Sequence, residues 1–342
     1  MVQSAESASR LSALTADRLV RYGQLKPCTT AFIDTRTPGS AKKENFTIIG
    51  PGVAENPDQH VHIEIPHGFN IGAARQPPRC INSQHSHETA EVFIIHSGRW
   101  AFYLGENADQ GEVLLGPGDT ISIPVDVFRG FENVGDDTGF MFAVLGENDP
   151  GHVTWAPYVF AAAKKHGLIL LEDGSLIDTA KGETIPPGKA PMPATTRADV
   201  ASLRNMTAAE LGDCVVRASE LGSVSSCAIP GLQEYPVIGG ASPSEGLTAG
   251  RMSWAHGFHV RHIVVDRGVE TKTHSRAEEE VILMHHGTLT VGTPDGDVDL
   301  EAGDVFTVPI GLSRFFANRS DIRVEAFVVR GGNQPAAATI TN

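Results

Sequence analysis

An internal repeat constrains this chain more than any other feature. At an offset of 189 residues, Phe46-Thr-Ile-Ile49-Gly50 falls on Tyr235-Pro-Val-Ile238-Gly239, His67-Gly68-Phe69 on His256-Gly257-Phe258, and His85-Ser86 on His274-Ser275. Glu91, His96 and Gly98 meet Glu280, His285 and Gly287 in the same register without a gap. Beyond Gly98 the first copy carries four extra residues, and the offset becomes 185. That offset sets Gly118-Asp119 on Gly303-Asp304, Pro124 on Pro309, Arg129 on Arg314 and Asn133 on Asn318. Chance does not hold this many identities in one register. The chain is two copies of one domain, and 342 residues suit two domains of about 150 residues each.

Each copy reads as short strands. Glu91-Val-Phe-Ile-Ile-His96 and Thr120-Ile-Ser-Ile-Pro124 are β-branched or aromatic runs stopped by Gly or Pro, as are their counterparts Glu280-Val-Ile-Leu-Met284 and Val305-Phe-Thr-Val-Pro309. With 36 Gly and 21 Pro to make tight turns, the pattern predicts an all-β fold of two sandwiches or barrels. Between the copies lie a helical signal at Ala156–His166, a Pro-rich stretch at Ile185–Pro193, and a capping-box spacing at Thr207–Glu210. The expected divisions are an N-terminal segment at 1–45, a first barrel at 46–156, a helical linker at 157–205, a second barrel at 206–332, and a fraying tail at 333–342.

Charge narrows the functional classes. There are 27 Lys plus Arg against 41 Asp plus Glu, a formal net charge of −14. That field repels nucleic-acid phosphates and anionic membrane surfaces, so neither is an expected partner. The cysteines Cys28, Cys80, Cys214 and Cys227 form no CxxC pair, which points to a reducing compartment rather than a disulfide framework. Asp, Glu and Arg interrupt the first 25 residues, and no window of about 18 apolar residues occurs. The expectation is a cytoplasmic protein.

Two spaced motifs recur in both copies. The first copy has His85-Ser-His87, three residues, Glu91, six residues, Gly98, then Gly118, five residues, Pro124, and finally Asn133. The second has Gly268, five residues, His274-Ser-Arg276, three residues, Glu280, six residues, Gly287, then Gly303, five residues, Pro309-Ile-Gly311, Arg314 and Asn318. This pattern resembles the two motifs of the cupins, and the chain resembles a bicupin over most of 46–150 and 235–330. The resemblance implies two tandem double-stranded β-helix (jelly-roll) barrels, each with its metal position inside.

Strand parity supports a metal site in the first copy. His85 and His87 are two apart and leave one face of one strand, while Glu91 opens the next. Two imidazoles and a carboxylate converging from adjacent strands suit Fe(II) first, then Mn(II), Zn(II) or Ni(II). The fourth ligand that the cupin pattern supplies is a His, and this chain has Arg129 and Arg314 there. A guanidinium has no lone pair to give. The metal candidates are therefore His85, His87 and Glu91. In the second copy only His274 and Glu280 remain, so that barrel is expected to be metal-free, with Arg276 paired to Glu280. Arg129 has two readings of equal weight: an anchor for a substrate carboxylate, or the neutralising partner of Glu91.

Other residues read as structural. His67 and His256 are expected to pack beside Gly-Phe, and His96 and His285 to face away from the glutamates. Parity splits the cluster His256, His259 and His262 between two faces. Trp100 and Phe102 share a strand face and are expected in the core, with a pocket lining as the alternative.

Three functional classes follow. The size, charge and single surviving site are similar to ring-cleaving bicupins of the gentisate 1,2-dioxygenase type, which implies an Fe(II) dioxygenase acting on a small aromatic or aliphatic organic acid, with Arg129 on the substrate carboxylate. Those enzymes use three histidines and lack the motif Glu, whereas this chain keeps Glu91. The second class is a non-redox lyase, isomerase or decarboxylase with the metal as Lewis acid. The third is a non-catalytic anion-binding or sensor protein. Oxalate decarboxylase and quercetinase call for the complete His-His-Glu-His set. A homo-oligomer is expected, as cupins often pair their barrels.

Overall fold

The computed structural model describes residues 2–222 and 228–341, so Cys227 lies outside the described residues. It is built mostly of strands, with two compact units, residues 26–215 and residues 1–25 with 216–342. The unit boundaries thus fall near 25 and 215, where the sequence alone suggests 45 and 205.

In the first unit one sheet places Thr120–Ile123, Glu91–Ser97, Gly139–Gly146, Phe69–Gln76, Glu44–Ile49 and Val61–Ile63 side by side. A second sheet has the order Val153–Trp155, Ile81–His87, Arg129–Asn133, Trp100–Leu104, Glu112–Leu115. Phe93, Ile95, Trp100, Phe102, Phe131 and Met141 fill one core cluster, so Trp100 and Phe102 are core residues. The motif glycines are conformational. Gly98 has φ 86° and Gly287 has φ 77°, in the left-handed region where a side chain is strained. A Cβ on Gly98 would also meet the Gly139 Cα at 2.6 Å.

The segment between the copies is no free linker. Pro157–Lys165 forms the expected helix, with Pro at its first turn, and buries Val159 and Ala163 one turn apart. Together with Leu168, Leu170 and Leu176 they make a second apolar cluster around Trp155 in the first unit. The capping box at Thr207 opens the helix Ala208–Asp213. Cys214 then accepts a hydrogen bond from Ser122 N at 2.9 Å, and Val215 enters the first barrel's core.

The second unit repeats the plan, with Val305–Val308, Glu280–His286, Val324–Gly331, Phe258–Val265 and Gln233–Ile238 as neighbours. Leu19–Val20 extends this sheet, pairing antiparallel with Phe306 and Val305. A third offset thereby becomes visible. Asp17-Arg-Leu-Val-Arg21 aligns with Asp213-Cys-Val-Val-Arg217, so the segment ahead of each copy is also part of the repeat. The tail is ordered rather than frayed, because Thr339–Ile340 pairs with His274–Ser275.

Candidate metal centre

His85 and His87 lie on strand Ile81–His87, and Glu91 opens strand Glu91–Ser97. Their donor atoms lie within 4.8 Å of one another, and all three side chains are buried. Arg129 begins the strand Arg129–Asn133, directly opposite His85 in the ladder. Its Nη1 donates to the His85 carbonyl at 2.9 Å, and its Nη2 donates to Glu91 Oε2. Arg129 is thus an ion-pair partner of Glu91 in this structure. The guanidinium is fully enclosed and does not line the adjacent cavity.

The donor chemistry fits a divalent cation. His85 Nδ1 sits 2.7 Å from the Ser83 carbonyl, which fixes its proton there and leaves Nε2 with its lone pair. His87 Nε2 is 3.6 Å from Glu91 Oε1, the carboxylate oxygen that Arg129 does not take. Burial and the Arg129 charge hold both imidazoles well below the usual histidine range, so they are neutral near pH 7. Burial pushes Glu91 up and Arg129 down, and each ion pulls its partner back. A cation between these donors would replace the solvation that Glu91 has lost.

Several contributors escaped the sequence reading. The Trp155 ring lies 5.1 Å from His85, and its Nε1 donates to Glu55 Oε1 at 2.6 Å. The fully buried Lys43 ion-pairs with Asp34 and donates to Asn82 Oδ1 at 2.7 Å. Asn82 in turn sits 3.4 Å from His85 Nδ1. Apart from Asn82, which lies on the strand of His85 and His87, these residues come from segments without a motif. A cavity of about 70 Å³ opens over the three candidate ligands, walled by residues that include Phe93, Phe131, Leu145, Val153 and Trp155.

In the second barrel arginines occupy the corresponding space. Glu280 takes Arg314 Nη2 at 2.6 Å, Arg330 Nε at 2.7 Å and Arg276 Nε at 3.2 Å. Arg330 also bridges to Glu234 at 2.7 Å, and Arg276 to Glu245 at 2.8 Å. Burial alone would raise Glu280, but the three guanidinium groups outweigh it and hold the carboxyl well below its ordinary range. The expected Arg276–Glu280 pair is therefore present within a larger network. Among the described residues, no second group of metal-binding side chains accompanies His85, His87 and Glu91.

The other histidines read from the sequence are placed as expected. His67 and His256 are buried, with Nδ1 against the carbonyls of Ile65 and Trp254. His96 packs edge-on against Phe140 and Phe142, and His285 against Phe327. His262 meets Glu325 at 3.2 Å, whereas His259 meets Arg261. Cys80 is buried, which pushes its thiol up and leaves it protonated.

Comparison with known proteins agrees with this architecture. The cupin domain family matches residues 74–145, which contain all of the candidate ligands and Arg129. Oxalate decarboxylase from Bacillus subtilis at pH 4.6 is similar in structure, with a TM-score of 0.54 and 12% identity over 95% of this chain and 78% of that one. The chain has a two-barrel cupin fold. A point variant of the same Bacillus subtilis enzyme superposes on this chain with a TM-score of 0.56 and 13% identity, covering 95% of this chain and 79% of that one. No curated protein matches the sequence. At such identity the likeness concerns the fold, and the chemistry must be argued from the site.

Proposed function

We propose that the first barrel holds one divalent ion through His85, His87 and Glu91, and that the protein is a metal-dependent lyase, decarboxylase or isomerase of a small organic acid. The observation that carries this reading is the convergence of two neutral imidazoles and one carboxylate beneath a small cavity. When bound, the ion supplies Lewis acidity that withdraws electrons from a substrate oxygen. The protein's own groups orient the ligands and exclude water. Ser83 holds the His85 ring, Arg129 holds Glu91, and Phe93, Phe131 and Trp155 wall the cavity. The decarboxylase activity of the structurally similar enzymes supports this class, although the fourth histidine position is Arg129 here.

An Fe(II) dioxygenase remains the second reading, favoured by the apolar wall over a two-histidine, one-carboxylate set. Metal content and oxygen dependence separate the readings. Protein purified without a histidine tag should hold about one equivalent of a divalent ion, and His87→Ala should lose it. Turnover of small acids that persists without oxygen supports the lyase class, and oxygen consumed in proportion to product supports the dioxygenase. A wild-type protein that retains no divalent ion, even after loading, removes both enzyme readings.

A further inference from the structure

The strand that carries His85 and His87 is bulged. Asn82 and His85 both line the cavity although they are three residues apart, which regular alternation would put on opposite faces. The ladder explains this. Phe131 pairs with Asn82 and Arg129 with His85, so Ser83 and Gln84 together stand opposite Gly130. The Gln84 side chain donates to the carbonyls of Tyr103 and Gly105 at 3.0 and 2.6 Å, and a Cβ on Gly130 would meet its Oε1 at 1.8 Å. A bulge leaves backbone groups outside the ladder, and the Ser83 N–H is one of them.

The two copies satisfy that donor differently. The second copy has the same bulge, because Thr271 N bonds to the Phe316 carbonyl and His274 N to that of Arg314. There Lys272, the counterpart of Ser83, donates its N–H to the Pro230 carbonyl at 3.0 Å, a neutral acceptor. In the first copy the Ser83 N–H donates at 3.0 Å to Asp34 Oδ2, a carboxylate. Asp34 is fully enclosed, and Ser40 Oγ also donates to Oδ2, at 3.3 Å. Lys43 balances the buried charge from the other oxygen, Oδ1, and leaves Oδ2 to Ser83. On its far side the Ser83 peptide accepts from His85 Nδ1 at 2.7 Å, against 3.0 Å between His274 and Lys272. One peptide therefore has a carboxylate at its N–H and a candidate metal ligand at its carbonyl.

We propose that Asp34 is a positioning residue for the ion of the first barrel, acting through the Ser83 peptide on His85. Hydrogen bonds in series polarise one another. Negative charge on the Ser83 N–H strengthens the Ser83 carbonyl as an acceptor, which fixes the His85 ring and makes Nε2 a better donor to a cation. The second barrel, where Arg276 stands in place of the second histidine, has the bulge without the carboxylate. This inference rests on the metal reading above and extends it to a residue 51 positions before His85 in the chain.

The test titrates full-length protein with Co(II), whose visible bands report the ligands around it. Asp34→Asn combined with Lys43→Met removes the buried ion pair as a pair and leaves a neutral acceptor of the same shape beside Ser83. This double variant should keep the far-UV circular dichroism of the wild type, bind Co(II) about tenfold more weakly or worse, and shift its visible bands. A role in stability alone would lower the melting midpoint and leave affinity and bands as in the wild type, and that result overturns the inference. A second measurement needs no variant. Diamagnetic Zn(II) bound to the wild type should move the Ser83 amide proton downfield and leave that of Lys272 in place, because the ion draws electrons through the His85 Nδ1–H bond. An unmoved Ser83 amide overturns the inference even where the double variant fails to fold. Wild-type protein that binds neither ion overturns the metal reading and this inference with it.

Discussion

Glu55 shows how the site's surroundings are set residue by residue. It is buried, it accepts from Trp155 Nε1 and from Ile33 N at 2.6 Å each, and burial pushes its carboxyl up to about 8. Trp155 and the Ile33 amide favour the ionised form, as does Lys43, but they do not overcome the loss of water. The folded protein therefore keeps a proton that the unfolded chain, near 4.5, has released. The contribution of Glu55 to stability is full below the unfolded value and falls as the pH rises from 4.5 towards 8, by at most about 1.4 kcal/mol per unit. The buried neutral histidines act in the opposite sense, so urea unfolding at pH 5 and pH 8 should show a more favourable change with rising pH in Glu55→Gln than in the wild type. Equal changes in both proteins would show that Glu55 does not titrate in this window. Arg129 obeys a related logic, because a buried carboxylate needs a cation, whether a guanidinium or a metal ion.

At the scale of the element, the strand Leu19–Val20 completes a sheet edge. It covers Val305–Val308, and its neighbours clamp it in place: Arg18 pairs with Glu279 at 2.7 Å, Arg21 with Asp304 at 2.6 Å, and Tyr22 N donates to Asp304 at 2.9 Å. Deleting residues 1–25 would expose the backbone groups of an apolar edge strand. Light scattering on refolded protein should then show aggregation that the full chain lacks, and an undiminished monomer yield would make the strand dispensable. These short elements were hard to read in the sequence. Two-residue strands such as Leu19–Val20 and Thr339–Ile340 have no periodicity of their own and exist because a sheet edge is there to pair with. The strand with His85 and His87 was legible because alternation over a few residues already assigns its faces.

For the whole molecule, duplication has given two barrels different interiors. The first keeps three neutral or anionic donors around one point, while the second joins Arg276, Arg314 and Arg330 to Glu234, Glu245 and Glu280. A divalent ion should accordingly stabilise the first unit alone. At one hundred times its dissociation constant it adds about 2.7 kcal/mol, which raises the melting midpoint of a unit this size by roughly 5–10 °C. Calorimetry with and without Mn(II) should show that rise in wild type and His274→Ala, and none in His87→Ala. A rise that His274→Ala abolishes would move the site to the second barrel.

The sequence by itself determined the duplication, the β-barrel architecture, the candidate ligands His85, His87 and Glu91, and the exclusion of Arg129 and Arg314 as donors. The duplication follows from identities held at one offset, the barrels from short strands and the resemblance to the cupin motifs, and the ligands from spacing within a strand and from what a side chain can donate. Tertiary structure decided the rest. It turned Arg129 onto Glu91 and brought Lys43, Glu55 and Trp155 around His85. Those residues sit far apart along the chain, and their meeting depends on which strands pair and which segments burial draws together, which no local pattern encodes.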